Sequence, residues 1–242
     1  MDMESHAYIT SLVQLVKIRE VDIKLIDDAV RRILYKKFEL GLFEDPYRFS
    51  SETREKLVLN DPQHKLIARD VAQKSIVLLK NRNHLLPLSK TIKIIALIGP
   101  LVKSKRDLEG SWIPRSDTTL VTILYEGLKN KVNDGVNLIC AEGTDVMGKQ
   151  DGNFDDAVAT ARKADIVVMA LGESWDMSGE SKSRADIRLP GRQEALFNAV
   201  SATGKPVIVV LMAGRPMIFN QIAEKAQAIL YAWWTGAKAG ML

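Results

Sequence analysis

At 242 residues the chain is long enough for one large domain, or for one domain and part of another. Its 46% hydrophobic and 26% charged residues are ordinary for a globular protein and supply enough apolar material for a core. Lys plus Arg exceed Asp plus Glu by only 34 to 30, and the charges are interspersed rather than gathered into a basic block, so nucleic acid is not indicated as a partner.

The opening MDMESHAYITSLV carries acids and a histidine where a secretory signal needs a basic start and an apolar run. Residues 5 to 18 and 22 to 40 read as two helices. In the second, Ile26, Ala29, Val30, Ile33 and Leu34 recur at helical spacing, with Asp22 placed to cap the start and Gly41 to end it. Residues 42 to 60 lose that period, carry a proline and many polar residues, and read as a linker between domains.

From residue 61 the pattern alternates. Asp61 and Pro62 suit the start of a helix running to Ser75, and SIVLLKN then looks extended. Apolar runs at 93 to 98, 136 to 140, 165 to 171, 206 to 212 and 228 to 233 are strand candidates. Helical stretches fall near 119 to 132, 154 to 163, 191 to 203 and 218 to 226. This alternation predicts an α/β fold with a doubly wound, mainly parallel sheet sandwiched by helices. The chain stops at AWWTGAKAGML, directly after an apolar strand and a glycine-bearing turn, so both ends read as cut.

No stretch approaches the roughly 18 uninterrupted apolar residues of a membrane span, and no membrane partner is expected. The single cysteine, Cys140, sits inside VNLICA and reads as a buried small hydrophobe. Three histidines are scattered without metal-ligand spacing, so no metal site and no cofactor are expected. The glycine turns Gly99-Pro100, Gly172-Glu173 and Gly214-Arg215-Pro216 make neither GxGxxG nor GxxxxGK[ST]. They read as tight turns from strand to helix, and a nucleotide-binding function lacks its phosphate glycines.

Two loops hold the residues able to carry chemistry. After IVVMAL (166 to 171), a continuous apolar run typical of a strand covered on both faces, MSGESKSRADIRLPGRQ (177 to 193) puts Glu180 on a polar loop. Loops at the carboxyl ends of parallel strands are where such sheets bind ligands. By residue type alone, Glu180 is either a group placed for chemistry or an ordinary solvated glutamate. The other loop, GPLVKSKRDLEGSWIPRSDTT, is long for a strand-to-helix connection. Within it Trp112 either offers a flat face to a sugar ring or closes over the domain edge.

The ordered motifs DAVRRILYKKFELGLFEDPY (28 to 47), ARDVAQKSIVLLKNRNHLLPL (68 to 88), IALIGPLVKSKRDLEGSW (95 to 112), MSGESKSRADIRLPGRQ and VIVVLMAGRP (207 to 216) resemble the family 3 glycoside hydrolases, especially bacterial β-glucosidases. The resemblance covers essentially the whole chain. It implies that residues 1 to 41 are the last helices of a (β/α)8 barrel, 42 to 60 an interdomain linker, and 61 to 242 most of an α/β sandwich. It further implies retaining hydrolysis of terminal, non-reducing β-D-glycosyl units, with a barrel aspartate as nucleophile and Glu180 as acid/base. Trp112 falls where the family presents an aromatic platform, and Ser111, Met177 and Arg184 join it as substrate-binding candidates.

This sequence has Ser181, Lys182 and Ser183 between the glutamate and Arg184, where many members have glycine and aspartate. No segment resembles the motif bearing the nucleophilic aspartate. The expectation is therefore half of an active site, inactive alone, whose partners are a β-linked oligosaccharide or glucoside and a barrel domain in cis. The resemblance implies a periplasmic or secreted parent. The alternative is a noncatalytic carbohydrate-binding or domain-docking module.

Overall fold

A computed structural model describes residues 2 to 59, 61 to 149 and 152 to 236. Residues 237 to 242, within the segment read as a cut terminus, lie outside the described residues. The chain divides into two compact units, residues 1 to 61 and 62 to 242.

The first unit is helical. A wide turn at Tyr8–Leu12 runs into α1 (Val13–Lys17), and α2 spans Ile23–Glu39. The carboxylate of Asp22 accepts the Lys24 N–H at 2.9 Å, the cap that the sequence predicts. The apolar stripe is present on α2, but none of its residues is buried within this unit, and Val30 is 50% exposed. The stretch read as a linker includes a helix, α3 (Glu52–Leu59). Ser51 Oγ accepts the Arg54 N–H at 3.2 Å and starts it, a cap signal in a segment with no apolar period to announce a helix.

In the second unit, α4 (Pro62–Ser75) precedes β1 (Val77–Asn81), which pairs antiparallel with β6 (Ala228–Tyr231). The other strands are β2 (Ile94–Ile98), β3 (Asn137–Ala141), β4 (Ile166–Gly172) and β5 (Val207–Met212). All pair in parallel, in the order β1-β6-β5-β4-β2-β3. The short α5 (Arg106–Glu109) and α6 (Leu124–Lys131) lie between β2 and β3. Beyond them come α7 (Phe154–Lys163), α8 (Gln193–Ser201) and α9 (Asn220–Lys225). The helix expected over 119 to 132 begins only at Leu124. Glu126 Oε2 accepts the Ile123 N–H at 3.1 Å, and the β-branched run before it favours extended backbone.

Every residue of β4 and β5 is buried, as their unbroken apolar runs require. Alternate side chains feed two layers. Val167, Met169 and Leu171 pack with Ala157 and Ala161 of α7 and with Leu196 and Phe197 of α8. Ile166, Val168 and Ala170 face Leu101, Leu108 and Ile123, with Leu124 and Leu128 of α6 packed against that layer. Cys140 is half-buried rather than fully enclosed, because β3 is the sheet's last strand on that side. Burial pushes its thiol above the ordinary range.

Strand order decides where a ligand can sit. From β2 the chain crosses to β3 on one side, whereas from β4 it crosses to β5 on the other. The loops leaving β2 and β4 therefore diverge at neighbouring carboxyl ends, which opens the switch-point crevice of such sheets.

Candidate active site

The two loops singled out in the sequence leave these two neighbouring strands. The β4 loop begins with Glu173, whose side chain has no exposed surface. Arg184 Nη1 lies 2.5 Å from its Oε1, and Arg215 Nε, from the loop after β5, stands 3.1 Å from the same oxygen. Burying a carboxylate costs several kcal/mol unless charges and hydrogen bonds offset it, and two guanidinium groups do so here. Arg184 Nη2 also donates to the Arg188 carbonyl at 3.1 Å.

Arg215 Nη2 donates to two carbonyls, Met177 at 2.5 Å and Lys182 at 2.7 Å. These lie three residues before and two after Glu180, so one guanidinium closes the turn with Glu180 at its apex. Glu180 itself is exposed. Ser181 takes a left-handed backbone, φ +59°, at the turn. The Tyr231 hydroxyl donates to the Arg215 carbonyl at 2.5 Å. Burial first, and then the Glu173 charge, raise the Tyr231 hydroxyl above the usual phenol range and keep it a donor.

The β2 loop meets this turn at Gly179. Its φ is +119°, and a Cβ there would stand 2.8 Å from Ser111 Oγ and 3.9 Å from Trp112 Cε2, so only glycine fits. Ser111 Oγ is buried at this contact, while Trp112 beside it is 73% exposed. Two further ties hold the loops together. Asp107 accepts the Trp175 N–H at 2.7 Å and the Ser104 hydroxyl at 2.6 Å. The Arg106 guanidinium lies 3.9 Å from the Trp175 ring centroid, a stacked cation over a π face.

Trp234, just past β6, wedges between loops. A Cβ on Gly214 would lie 2.6 Å from its Cζ3 and 2.7 Å from Ser178 Cβ, and a Cβ on Gly110 would lie 2.7 Å from its Cε3. The loops after β2, β4, β5 and β6 thus meet around one indole. The result is an exposed carboxylate, Glu180, on a braced turn whose neighbouring Gly179 packs against Ser111 and the exposed Trp112.

The description "Glycosyl hydrolase family 3 C-terminal domain" fits residues 76 to 241. The chain belongs to glycoside hydrolase family 3. The family resemblance read from the motifs and the α/β fold are both correct. The periplasmic β-glucosidase of Salmonella typhimurium is 35% identical over 263 residues, covering 99% of this chain and 34% of that protein. A β-xylosidase of Formosa agariphila is 40% identical over 223 residues, covering 90% and 30%. The crystal structure of a β-glucosidase from Listeria innocua in complex with gluconolactone superposes with a TM-score of 0.82 at 37% identity, covering 100% of this chain and 32% of that one. The chain spans about a third of the length of these relatives.

Within this family 3 domain the five residues picked from sequence fall into two groups. Glu180, Trp112 and Ser111 come together where the β2 and β4 loops touch. Met177 and Arg184 line a separate cleft with Asp186, Arg188, Leu189 and Glu194. There a hydrogen bond from Arg188 holds the Asp186 carboxyl down to about 2. The guanidinium of Arg184 is already engaged by Glu173 and the Arg188 carbonyl. Glu173, Arg215 and Trp234 escaped the sequence reading, which saw Gly172-Glu173 and Gly214-Arg215-Pro216 only as turns. An acid directly after one all-apolar strand, and a base three residues beyond the end of another, were the available signal.

Proposed function

We propose that this chain is the acid/base-bearing part of a retaining β-glycosidase, acting on terminal non-reducing β-D-glucosyl or closely related residues. The observation that carries this reading is Glu180, an exposed carboxylate at the apex of a turn braced on both sides and adjoining the exposed Trp112. Family membership, and relatives named β-glucosidase and β-xylosidase, support the reaction class. In this reading residues 1 to 41 close a barrel domain, 42 to 60 connect it, and 61 to 242 form the sandwich. The nucleophilic carboxylate belongs to the barrel, and the chain alone turns over no glycoside.

The chemistry follows from two carboxyl groups about 5 to 5.5 Å apart. As the nucleophile attacks the anomeric carbon, protonated Glu180 gives its proton to the glycosidic oxygen, and the leaving alcohol departs neutral. Glu180, now a carboxylate, then takes a proton from the water that attacks the glycosyl-enzyme ester. The sugar is released with retained configuration, and both carboxyls return to their starting states. Trp112 stacks on the departing sugar and holds its oxygen near Glu180.

Protonation matters most for a poor leaving group and least for an activated phenol. In the longer protein that carries this segment, Glu180→Gln is expected to cut cellobiose turnover by about 10²- to 10⁴-fold. Glycosylation by dinitrophenyl β-glucoside is expected to change little, with azide restoring turnover and yielding β-glucosyl azide. Equal loss on both substrates with no azide rescue would assign Glu180 to binding or structure instead.

A further inference from the structure

We infer that Arg215 is a positioning residue for the acid/base carboxylate, aligned by the buried Glu173. The inference rests on the proposed role of Glu180. Between Glu173 and Arg192 the backbone is held by a short turn at Trp175–Met177, a bridge from Arg188 to Ile218 and one long bond across Glu180, from the Lys182 N–H to the Gly179 carbonyl at 3.3 Å, so backbone hydrogen bonding restrains Glu180 only weakly. A general acid must stay within about 0.5 Å of its productive position, and a 1 Å misplacement costs about 10²-fold.

Arg215 supplies the missing restraint from a different element. Its Nη2 reaches the carbonyls of Met177 and Lys182 on both flanks of Glu180. Its Nε rests 3.1 Å from Glu173 Oε1, and its own carbonyl is held by Tyr231. Glu173 has no exposed surface, and Arg184 Nη1 bonds the same oxygen at 2.5 Å. The guanidinium is thereby anchored at the end of β4 by its ion pair with Glu173, while Tyr231 of β6 holds the Arg215 backbone through its carbonyl. The turn hangs on that anchor. A lysine offers one rotatable ammonium where arginine offers a planar fork, so it reproduces only part of this geometry.

The consequence is testable in the longer protein that carries this segment. Arg215→Met, Arg215→Lys, Glu180→Gln and the Arg215→Met/Glu180→Gln double variant are compared on cellobiose and on dinitrophenyl β-glucoside, with melting temperatures recorded for each. Arg215→Met is expected to lower kcat/KM for cellobiose at least about tenfold, and that for dinitrophenyl glucoside less than about threefold. Arg215→Lys is expected to recover part of the cellobiose loss.

In the Glu180→Gln background, Arg215→Met should add less than about twofold, because a residue acting through Glu180 has nothing left to position. If Arg215→Met does not fold, the same selectivity is read from Arg215→Lys. Equal losses on both substrates, or a full multiplicative loss in the double variant, would make Arg215 a purely structural residue and overturn the inference. If Glu180→Gln itself shows no dependence on the leaving group, the acid/base reading fails and the inference falls with it, an outcome read from the single variant alone.

Discussion

Gln193 and Gly172 exchange a pair of hydrogen bonds. The Gly172 N–H donates to Gln193 Oε1 at 2.8 Å, and Gln193 Nε2 donates back to the Gly172 carbonyl at 2.8 Å. A side-chain amide thus takes the place of a neighbouring strand at the end of β4, one residue before Glu173. The same Nε2 reaches the Val146 carbonyl at 3.1 Å and the Pro190 carbonyl at 3.3 Å, and the side chain is fully buried. Leucine at this position would leave these groups unpaired in the interior. Gln193→Leu is expected to cost about 3 kcal/mol, the penalty for orphaning buried polar groups, read from urea unfolding of the chain. A change below about 0.5 kcal/mol would mean that water replaces the amide.

Trp112 is predicted to act on the leaving sugar and not on the bond that breaks. In the barrel-bearing protein proposed above, Trp112→Ala should lower kcat/KM for cellobiose about two- to twelvefold, the counterpart of ~0.5–1.5 kcal/mol for a stacked ring. β-Glucosyl fluoride, whose leaving group is fluoride rather than a sugar, should be hydrolysed at nearly the parental rate. Equal losses on both substrates would place Trp112 in the packing of the β2 loop.

Asp165 ties the starts of two strands together, accepting the N–H groups of Lys93 and Ile94 at 2.8 and 2.9 Å. Those two bonds, Lys93 first, hold its carboxyl below the ordinary value of 3.8. Because the folded value lies below the unfolded one, the stabilisation is complete above pH about 4 and disappears as pH falls through the folded value. Asp165→Asn should therefore be less stable than the parent at pH 7, and the gap should narrow on acidification below pH about 4. A gap that stays constant from pH 7 to pH 3 in thermal unfolding would show that the charge contributes nothing.

Several features were legible along the chain because their cause is local. The runs around β4 and β5 announce strands covered on both faces, since such strands need no polar alternation. Asp22 and Pro62 mark helix starts through their own backbone chemistry. Trp112 stood out as a large apolar ring in a loop of charges, and Glu180 through its place after a buried strand and the surrounding motifs that resemble a known family. What was missed is equally physical. Ser51 starts α3 with no apolar period to point to it, and SIVLLKN reads as extended without revealing that β1 runs antiparallel to β6.

The sequence by itself determined the family, the α/β class, the elements of the sheet and the candidate carboxylate, because periodicity, caps and contiguous motifs are encoded within a few residues. Only the tertiary structure decided the strand order that sets the β2 and β4 loops side by side. It also decided the cluster of Glu173, Arg184 and Arg215, and the seat of Trp234 between Gly110 and Gly214. Those residues lie far apart along the chain. Parallel pairing of β4 with β5, and of β5 with β6, brings their carboxyl ends together, and burial at that junction forces the charges to find one another.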